Sequence, residues 1–220
     1  MPEVKRKRRY DASGRRAQAR RTRAAVLDAA ERQFLDGGYA ATTVAGVARE
    51  AGVSVETVYK GFGGKPGLVR ALYDRGLVGP GSVPAYLRAD AVREQETDPA
   101  AILREWSAIT SEVASTVMPV RLLMRAAAAT DADIAGLVAA SDQGRLERMG
   151  DHARFLADRG HLRPGVTVEE AADVLWTCSS LELYELLVLK RGWSMPRFAA
   201  FLADFMITAL LPREPASGDQ

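Results

Sequence analysis

Residues 44–62 read VAGVAREAGVSVETVYKGF, and this stretch decides the fold. The pattern predicts a helix over about Val44–Ala51, a tight turn, and a second helix over about Val55–Phe62. Thr42 or Thr43 is placed to cap the first helix, and Ser54 the second, because a hydroxyl there satisfies a free backbone N–H. Gly52 breaks the pair where a positive φ carries no steric cost. Val47, Ala48 and Ala51 share the inner face of the first helix, and Val53 and Val58 supply matching apolar contacts. Ala48 is small enough for the second helix to cross closely. A helix-turn-helix of this kind sets its second helix, N-terminal end first, into the major groove of duplex DNA.

Upstream, Val26, Ala30 and Phe34 recur at helical spacing with Leu27 beside them, and Gly37-Gly38 stops that helix. Downstream, Gly63-Gly64 ends the reading helix, and a further one starts near Lys65-Pro66, carrying Leu68, Leu72 and Tyr73 toward Leu77. Residues 79–99, rich in Gly, Pro and charge, read as a linker or long loop. Helices are expected at about 99–117, 120–129, 132–159, 167–191 and 195–211, punctuated by Pro119, Gly160, Pro164-Gly165, Gly192 and Pro212. No segment alternates like a strand. The expectation is an all-α chain of about nine helices, with an N-terminal DNA-binding domain and a C-terminal helical domain for ligand binding and dimerisation. The domain boundaries fall at 1–14 (a disordered basic arm), 15–78, 79–212 and 213–220 (a tail).

The composition of the 220 residues is that of a globular protein, with 47% hydrophobic and 26% charged. The net charge of +2 hides an asymmetry: residues 1–75 carry +8 and residues 76–220 carry −6. A basic front suggests a polyanionic partner. The charge sits in the run Lys5-Arg6-Lys7-Arg8-Arg9 and in Arg15, Arg16, Arg20, Arg21 and Arg23, so it lies ahead of the helix-turn-helix. One cysteine, Cys178, excludes an internal disulfide and fits a reducing cytosol. Two histidines are too few for a His-based metal cage without carboxylate help, and no cofactor is implied. No stretch has the length of a membrane span or a secretory leader, so a cytoplasmic location is expected.

The residues around the motif resemble the TetR family of transcriptional regulators. The resemblance rests on Thr22-Arg23-Ala24-Ala25-Val26-Leu27-Asp28-Ala29-Ala30, Phe34, Gly38-Tyr39 and Thr42-Thr43-Val44. It continues through Ala48, Ala51-Gly52-Val53-Ser54, Thr57-Val58-Tyr59, Phe62, Lys65 and Leu68. It covers about residues 22–76. The family pattern often has Gly or an amide side chain near Glu56 and His near Gly61; this sequence departs at both, which bears on base preference and not on fold.

The exposed positions of the reading helix then take roles from their chemistry. Ser54 presents a helix N-terminus to a phosphate. Val55 suits a thymine methyl, Thr57 a base or a phosphate, and Lys60 guanine O6/N7 or a phosphate. Glu56 either accepts from cytosine N4 or repels phosphate and sharpens selectivity. The resemblance implies that Thr43, Tyr59 and Lys65 grip phosphates and fix register. Arg23, with Arg20, Arg21 and the Lys5–Arg9 arm, is expected to add salt-dependent affinity. At each position the alternative is a solvated helix surface.

One reading helix makes few base contacts, so a homodimer on a palindromic duplex operator is expected. Phe198, Phe201/Leu202, Phe205/Met206 and Ala209/Leu210 form a stripe near the end of the chain, and 168–189 is apolar on more than one face, including Leu175, Leu183 and Leu186. One face of each helix can pack within the subunit and the other on a partner, giving a four-helix bundle, and the resemblance implies pairing there. Trp106, Met118, Met124, Met149, Phe155, Trp176 and Tyr184 suit an apolar small-molecule effector, the alternative being ordinary core. Arg121 and Arg125, one turn apart, suit either an acidic ligand or internal carboxylates. His152 and His161 read as surface or capping residues.

An enzyme is not expected. Gly61-Phe62-Gly63-Gly64-Lys65-Pro66 fails the phosphate-loop pattern, because Tyr59 stands at its first glycine and Pro follows the lysine. The chain has neither G-x-S-x-G nor H-E-x-x-H. The function expected is a ligand-responsive repressor binding an operator through 43–62. The competing readings are a ligand-independent DNA-binding protein or activator of the same fold, and a purely interacting helical bundle.

Overall fold

The computed structural model describes residues 12–79, 81 and 83–213. The Lys5–Arg9 run, and with it most of the expected arm, lies outside the described residues, as does the tail beyond Arg213. Among the described residues all regular structure is helical. The chain divides into two compact units, Met1–Leu72 and Tyr73–Gln220.

In the first unit, α1 (Ala12–Ala41) buries Val26, Leu27, Ala29, Ala30 and Phe34. As expected, the helical backbone breaks at Gly37-Gly38: Gly38 is non-helical (φ 76°, ψ 173°), and one further turn follows to Ala41. The buried Thr42 hydroxyl secures the kink through Gln33 O (3.0 Å) and Gly38 O (2.8 Å). Next come α2 (Val44–Glu50) and α3 (Val55–Phe62). Gly52 takes φ 68° in the turn between them, where Val53 N donates to Ala48 O at 2.9 Å. Val47, Ala48 and Val58 are at most 1% exposed and close the angle between α2 and α3. The first part of α4 (Lys65–Val78) buries Leu68, Val69 and Leu72 in this unit.

The second unit takes the rest of α4 and adds α5 (Ala85–Gln95), α6 (Pro99–Ala127), α7 (Ala132–Asp158), α8 (Val168–Cys178), α9 (Leu181–Tyr184) and α10 (Met195–Leu210). Its core joins Ile102 and Leu103 of α6, Leu156 of α7, Leu175 of α8, and Phe198 and Leu202 of α10, all but excluded from solvent. Each such side chain contributes roughly 1.5–3 kcal/mol on burial.

Three expectations change here. Residues 79–99 are not only a linker, since they contain α5. Its inward stripe is Ala85, Ala89 and the half-buried Val92, too small to register as an apolar period. The Trp106 indole donates to Ala89 O (3.2 Å), and Arg88 pairs with Glu112. The expected break near Pro119 is absent, and α6 runs through it. Pro119 faces solvent, while Val117, Met118 and Val120 around it are buried, so packing carries the helix across the missing N–H. The expected helix over 167–191 is interrupted at Ser179-Ser180. The Ser180 hydroxyl accepts from Leu183 N and restarts the chain as α9, which widens into a π-helical stretch, Glu185–Lys190. Such wide turns rotate the following side chains and recur at functional positions.

Candidate nucleic-acid interface and cavity

The reading helix α3 is anchored by very little of itself. Val58 is fully buried and Phe62 half-buried, whereas Val55, Glu56, Thr57, Tyr59, Lys60 and Gly61 are exposed. Tyr59 and Val55 keep 54% and 41% of their surface, an unusual outlay of large side chains for a helix with nothing over it. Ser54 caps α3, accepting from Thr57 N (3.1 Å), and its Oγ lies 2.8 Å from Thr57 Oγ1. Thr43 caps α2, accepting from Gly46 N at 3.0 Å. Both hydroxyls expected at the interface thus also hold helix N-termini open to solvent.

Arg23 and Lys65 each have an aromatic support. The Arg23 guanidinium lies 4.5 Å from the Phe62 ring centre and reaches Gly61 O (3.4 Å) at the end of α3. The Lys65 ammonium lies 4.1 Å from the Tyr39 ring centre and 3.5 Å from Ala40 O, and Tyr39 stacks on the buried Phe34. Cations over rings are held in place while their heads stay hydrated. Sequence reasoning missed how α2 is braced. Arg32 and Gln33 of α1 donate to Glu50 at 2.8 and 2.7 Å, which holds the Glu50 carboxyl below its ordinary value, Gln33 contributing most. A Cβ on Gly46 would come within 2.8 Å of Gln33 Oε1, so the Gln33 side chain that braces Glu50 would have to shift.

The second unit encloses a cavity of about 360 Å³. Trp106, Ile109, Val113, Leu175, Leu202 and Met206 are among the apolar residues that line it, and Tyr73 and Leu77 of α4 also do. Of the residues expected at an effector site, Trp106 and Met149 line it. Met124 is fully buried elsewhere in α6. Phe155 packs on Trp106 from the side, with the Arg93 and Arg159 guanidinium groups against its ring. Trp176 carries the Arg145 guanidinium 4.7 Å from its ring centre. Tyr184 meets Phe198 edge-on in the core. Arg121 and Arg125 satisfy internal carboxylates, Asp142 and Glu185 respectively.

His152 overturns its expected surface role. It lines the cavity at 4% exposure, with its ring 4.1 Å from Trp106, and its Nδ1 has no hydrogen-bond partner among the described residues. Burial first, then the Arg148 and Arg93 charges, push its pKa down to about 3, against weaker opposition from Asp90 and Asp151. The folded protein therefore holds a neutral imidazole while the unfolded chain binds a proton below pH 6.5. Stability should fall by about 1.4 kcal/mol per pH unit on acidification below that value, until the folded group also titrates near pH 3. His152→Phe, which keeps a ring on Trp106, should flatten melting temperature against pH between pH 6.5 and 4.5. An equally steep profile in the variant would show that other groups drive the acid loss.

Of the expected pairing residues, Leu175, Phe198 and Leu202 are at most 3% exposed within their own subunit and Leu183 is half-buried. Leu186, Phe201 and Phe205 remain open at 51%, 38% and 46%, joined by Leu189 at 52%. Trp193 meets Phe201 edge-on at 5.6 Å, and Phe201 stacks toward Phe205 at 6.3 Å. Among the described residues no helix is long and apolar enough to cross a membrane.

Known proteins agree with this geometry. Residues 26–72 match the family model for bacterial regulatory proteins of the tetR family. The uncharacterized HTH-type transcriptional regulator YvkB of Bacillus subtilis is 24% identical over 178 residues, covering 81% of this chain and 90% of that one. The fold is that of SmeT, the repressor of the Stenotrophomonas maltophilia multidrug efflux pump SmeDEF. Its triclosan complex superposes with a TM-score of 0.69 at 21% identity, over 90% of this chain and 97% of SmeT. It is also that of NalD, the secondary repressor of the MexAB-OprM multidrug efflux pump in Pseudomonas aeruginosa. There the TM-score is 0.67 at 19% identity, over 89% of this chain and 98% of NalD.

Proposed function

We propose, for a chain that belongs to the TetR family of transcriptional regulators, that it is an effector-responsive repressor acting in the cytoplasm as a homodimer on a palindromic operator. The observation that carries this is α3, capped, anchored by Val58 and Phe62, and otherwise exposed. In this reading Val55, Glu56, Thr57 and Lys60 face base edges. Thr43, Ser54, Tyr59, Lys65 and Arg23 hold phosphates and fix register. Leu186, Leu189, Phe201 and Phe205 meet their copies on the partner, and Leu175, Leu183, Phe198 and Leu202 hold the helices that carry them. A like-folded repressor (NalD) and a like-folded protein in complex with triclosan (SmeT) support repression and effector response.

Effector control would run as a population shift. Helix α4 buries Leu68 and Leu72 in the first unit and lines the cavity with Tyr73 and Leu77 in the second. A ligand that favours one placement of α4 changes the spacing of two reading helices and so the match to DNA. The coupling is reciprocal, so operator DNA should weaken effector binding by the same factor. The cavity favours this reading over a ligand-independent one.

Selection of bound duplexes from a random pool tests the claim. The expected product is a palindrome with half-sites about one helical turn apart. Recovery of an asymmetric single site would overturn the dimer geometry, and failure to bind any duplex at low salt would favour an interacting helical bundle.

A further inference from the structure

The arginine and histidine side chains that line the cavity all come from α7. Ser141, Arg145, Arg148 and His152 follow one another at intervals of four, three and four residues, which places them in a single stripe along the helix. The rest of the lining is mainly apolar, with Thr110, Ser179, Tyr73 and Tyr86 among it. Among the described residues no Asp or Glu lines the cavity, while two arginines do.

Those arginines are not fully compensated by what lies behind them. Asp142 takes both its bonds from Arg121 Nη2 on α6 (2.6 and 2.7 Å) and is left 3.7 Å from Arg145. Arg145 donates instead to Trp176 O (2.7 Å) and Ser179 Oγ (3.0 Å), both from Nη1. Burial pushes its guanidinium pKa down despite attraction from Asp142 and Glu182. Asp90 is likewise divided between Arg148 (2.8 Å) and Arg93 (2.9 Å). Four guanidinium groups thus share two aspartates. Beside them His152, neutral and 4% exposed, leaves its Nδ1 unpaired. A buried polar atom without a partner is costly, and a ligand that supplies one recovers that cost.

We propose that the effector of this cavity is an apolar organic acid, a carboxylate or equivalent oxyanion whose head rests on Arg145, Arg148 and His152 and whose aromatic or aliphatic body lies against Trp106, Leu202 and Met206. The inference rests on the regulator reading above, but it concerns the ligand's chemistry and can fail separately. An amine has no carboxylate to meet on this wall, and an uncharged body of the same shape forfeits the charge-assisted bonds.

The full-length protein is titrated with two sets of probes that differ only in the head group: naphthylacetate, naphthylacetamide and naphthylethylamine, and decanoate, decanamide and decylamine. Quenching of tryptophan fluorescence, from Trp106 in the wall, and calorimetry report binding. In at least one set the acid is expected to bind tenfold or more tighter than its amide, and the amine weakest. Arg148→Met, which keeps an apolar stem of similar reach, should reduce the acid-over-amide preference to threefold or less while amide binding is retained. His152→Phe provides a second variant with the ring preserved, and should reduce the same preference. An amide or amine that equals the acid, binding by none of the six, or a preference untouched in both variants would overturn the proposal. Acid binding that leaves a pre-bound operator duplex in place would sustain the ligand chemistry and refute effector control.

Discussion

Gly67→Ala should unseat the reading helix. Gly67 lies in the first turn of α4, and a Cβ there would overlap the backbone carbonyl oxygen of Phe62. That atom is backbone, so no rotamer change relieves the overlap, and the end of α3 and the start of α4 must part. Intrinsic propensity points the other way, since Ala is favoured over Gly in a helix by about 1 kcal/mol. The clash should outweigh it, because forcing atoms into a packed site costs about 1–3 kcal/mol and moves the backbone. Phe62 carries Arg23 on its ring, and Lys65 stands two residues before Gly67, so the movement reaches both expected phosphate contacts. The variant is expected to melt several degrees lower and to bind operator at least tenfold more weakly. Gly61→Ala is the control: it lies in α3 with open space where the methyl group goes, and should melt no lower than the wild type. Thermal melting and operator titration of both proteins check this, and a Gly67→Ala protein as stable as Gly61→Ala would refute it.

Gly67 also shows what the sequence leaves unread. The helix-turn-helix was legible because each of its decisions is local: Thr43 and Ser54 cap, Gly52 turns, and Val47, Ala48 and Val58 pack across a gap of a few residues. The space beside Gly67 and Gly46 is set by atoms of other elements, and no spacing rule reports it. Helix α5 escaped detection because alanine carries its buried face. Pro119 reads as a break, whereas the buried Val117, Met118 and Val120 hold α6 together around it. The cavity followed the same division. Large Met and aromatic side chains pointed to the right unit, but of those expected only Trp106 and Met149 line the space. The polar residues that give the wall its chemistry, Arg145, Arg148 and His152, sit on α7 among other charged residues and look like solvated surface. The signal that was available is their spacing at four, three and four residues from Ser141, which has meaning only once that face of α7 is known to be covered.

Replacing Phe201 and Phe205 together by Glu should convert the protein to a folded monomer that no longer holds its operator. The two faces of α10 differ in a way the sequence stripe alone did not separate. Phe198, Leu202, Met206 and Leu210 are at most 3% exposed, whereas Phe201 and Phe205, one turn apart, are 38% and 46% exposed. A charge at the exposed positions stays hydrated in the monomer, so its own fold is spared. In a symmetric pair each new carboxylate would be buried against an apolar surface or a like charge, which costs several kcal/mol across the interface. Loss of the pair leaves one reading helix for one half-site, and operator affinity should fall at least a hundredfold at micromolar protein or below. Phe198→Ala is the contrast, because it opens a hole inside the subunit and should cost about 3–5 kcal/mol of folding stability. Sedimentation velocity and circular dichroism distinguish the two outcomes: a monomer with native helix content for the double Glu variant, and lowered melting for Phe198→Ala. A double variant that still sediments as a dimer would place the pairing surface elsewhere, and would leave Leu186, Leu189, Phe201 and Phe205 as an exposed apolar face without a partner.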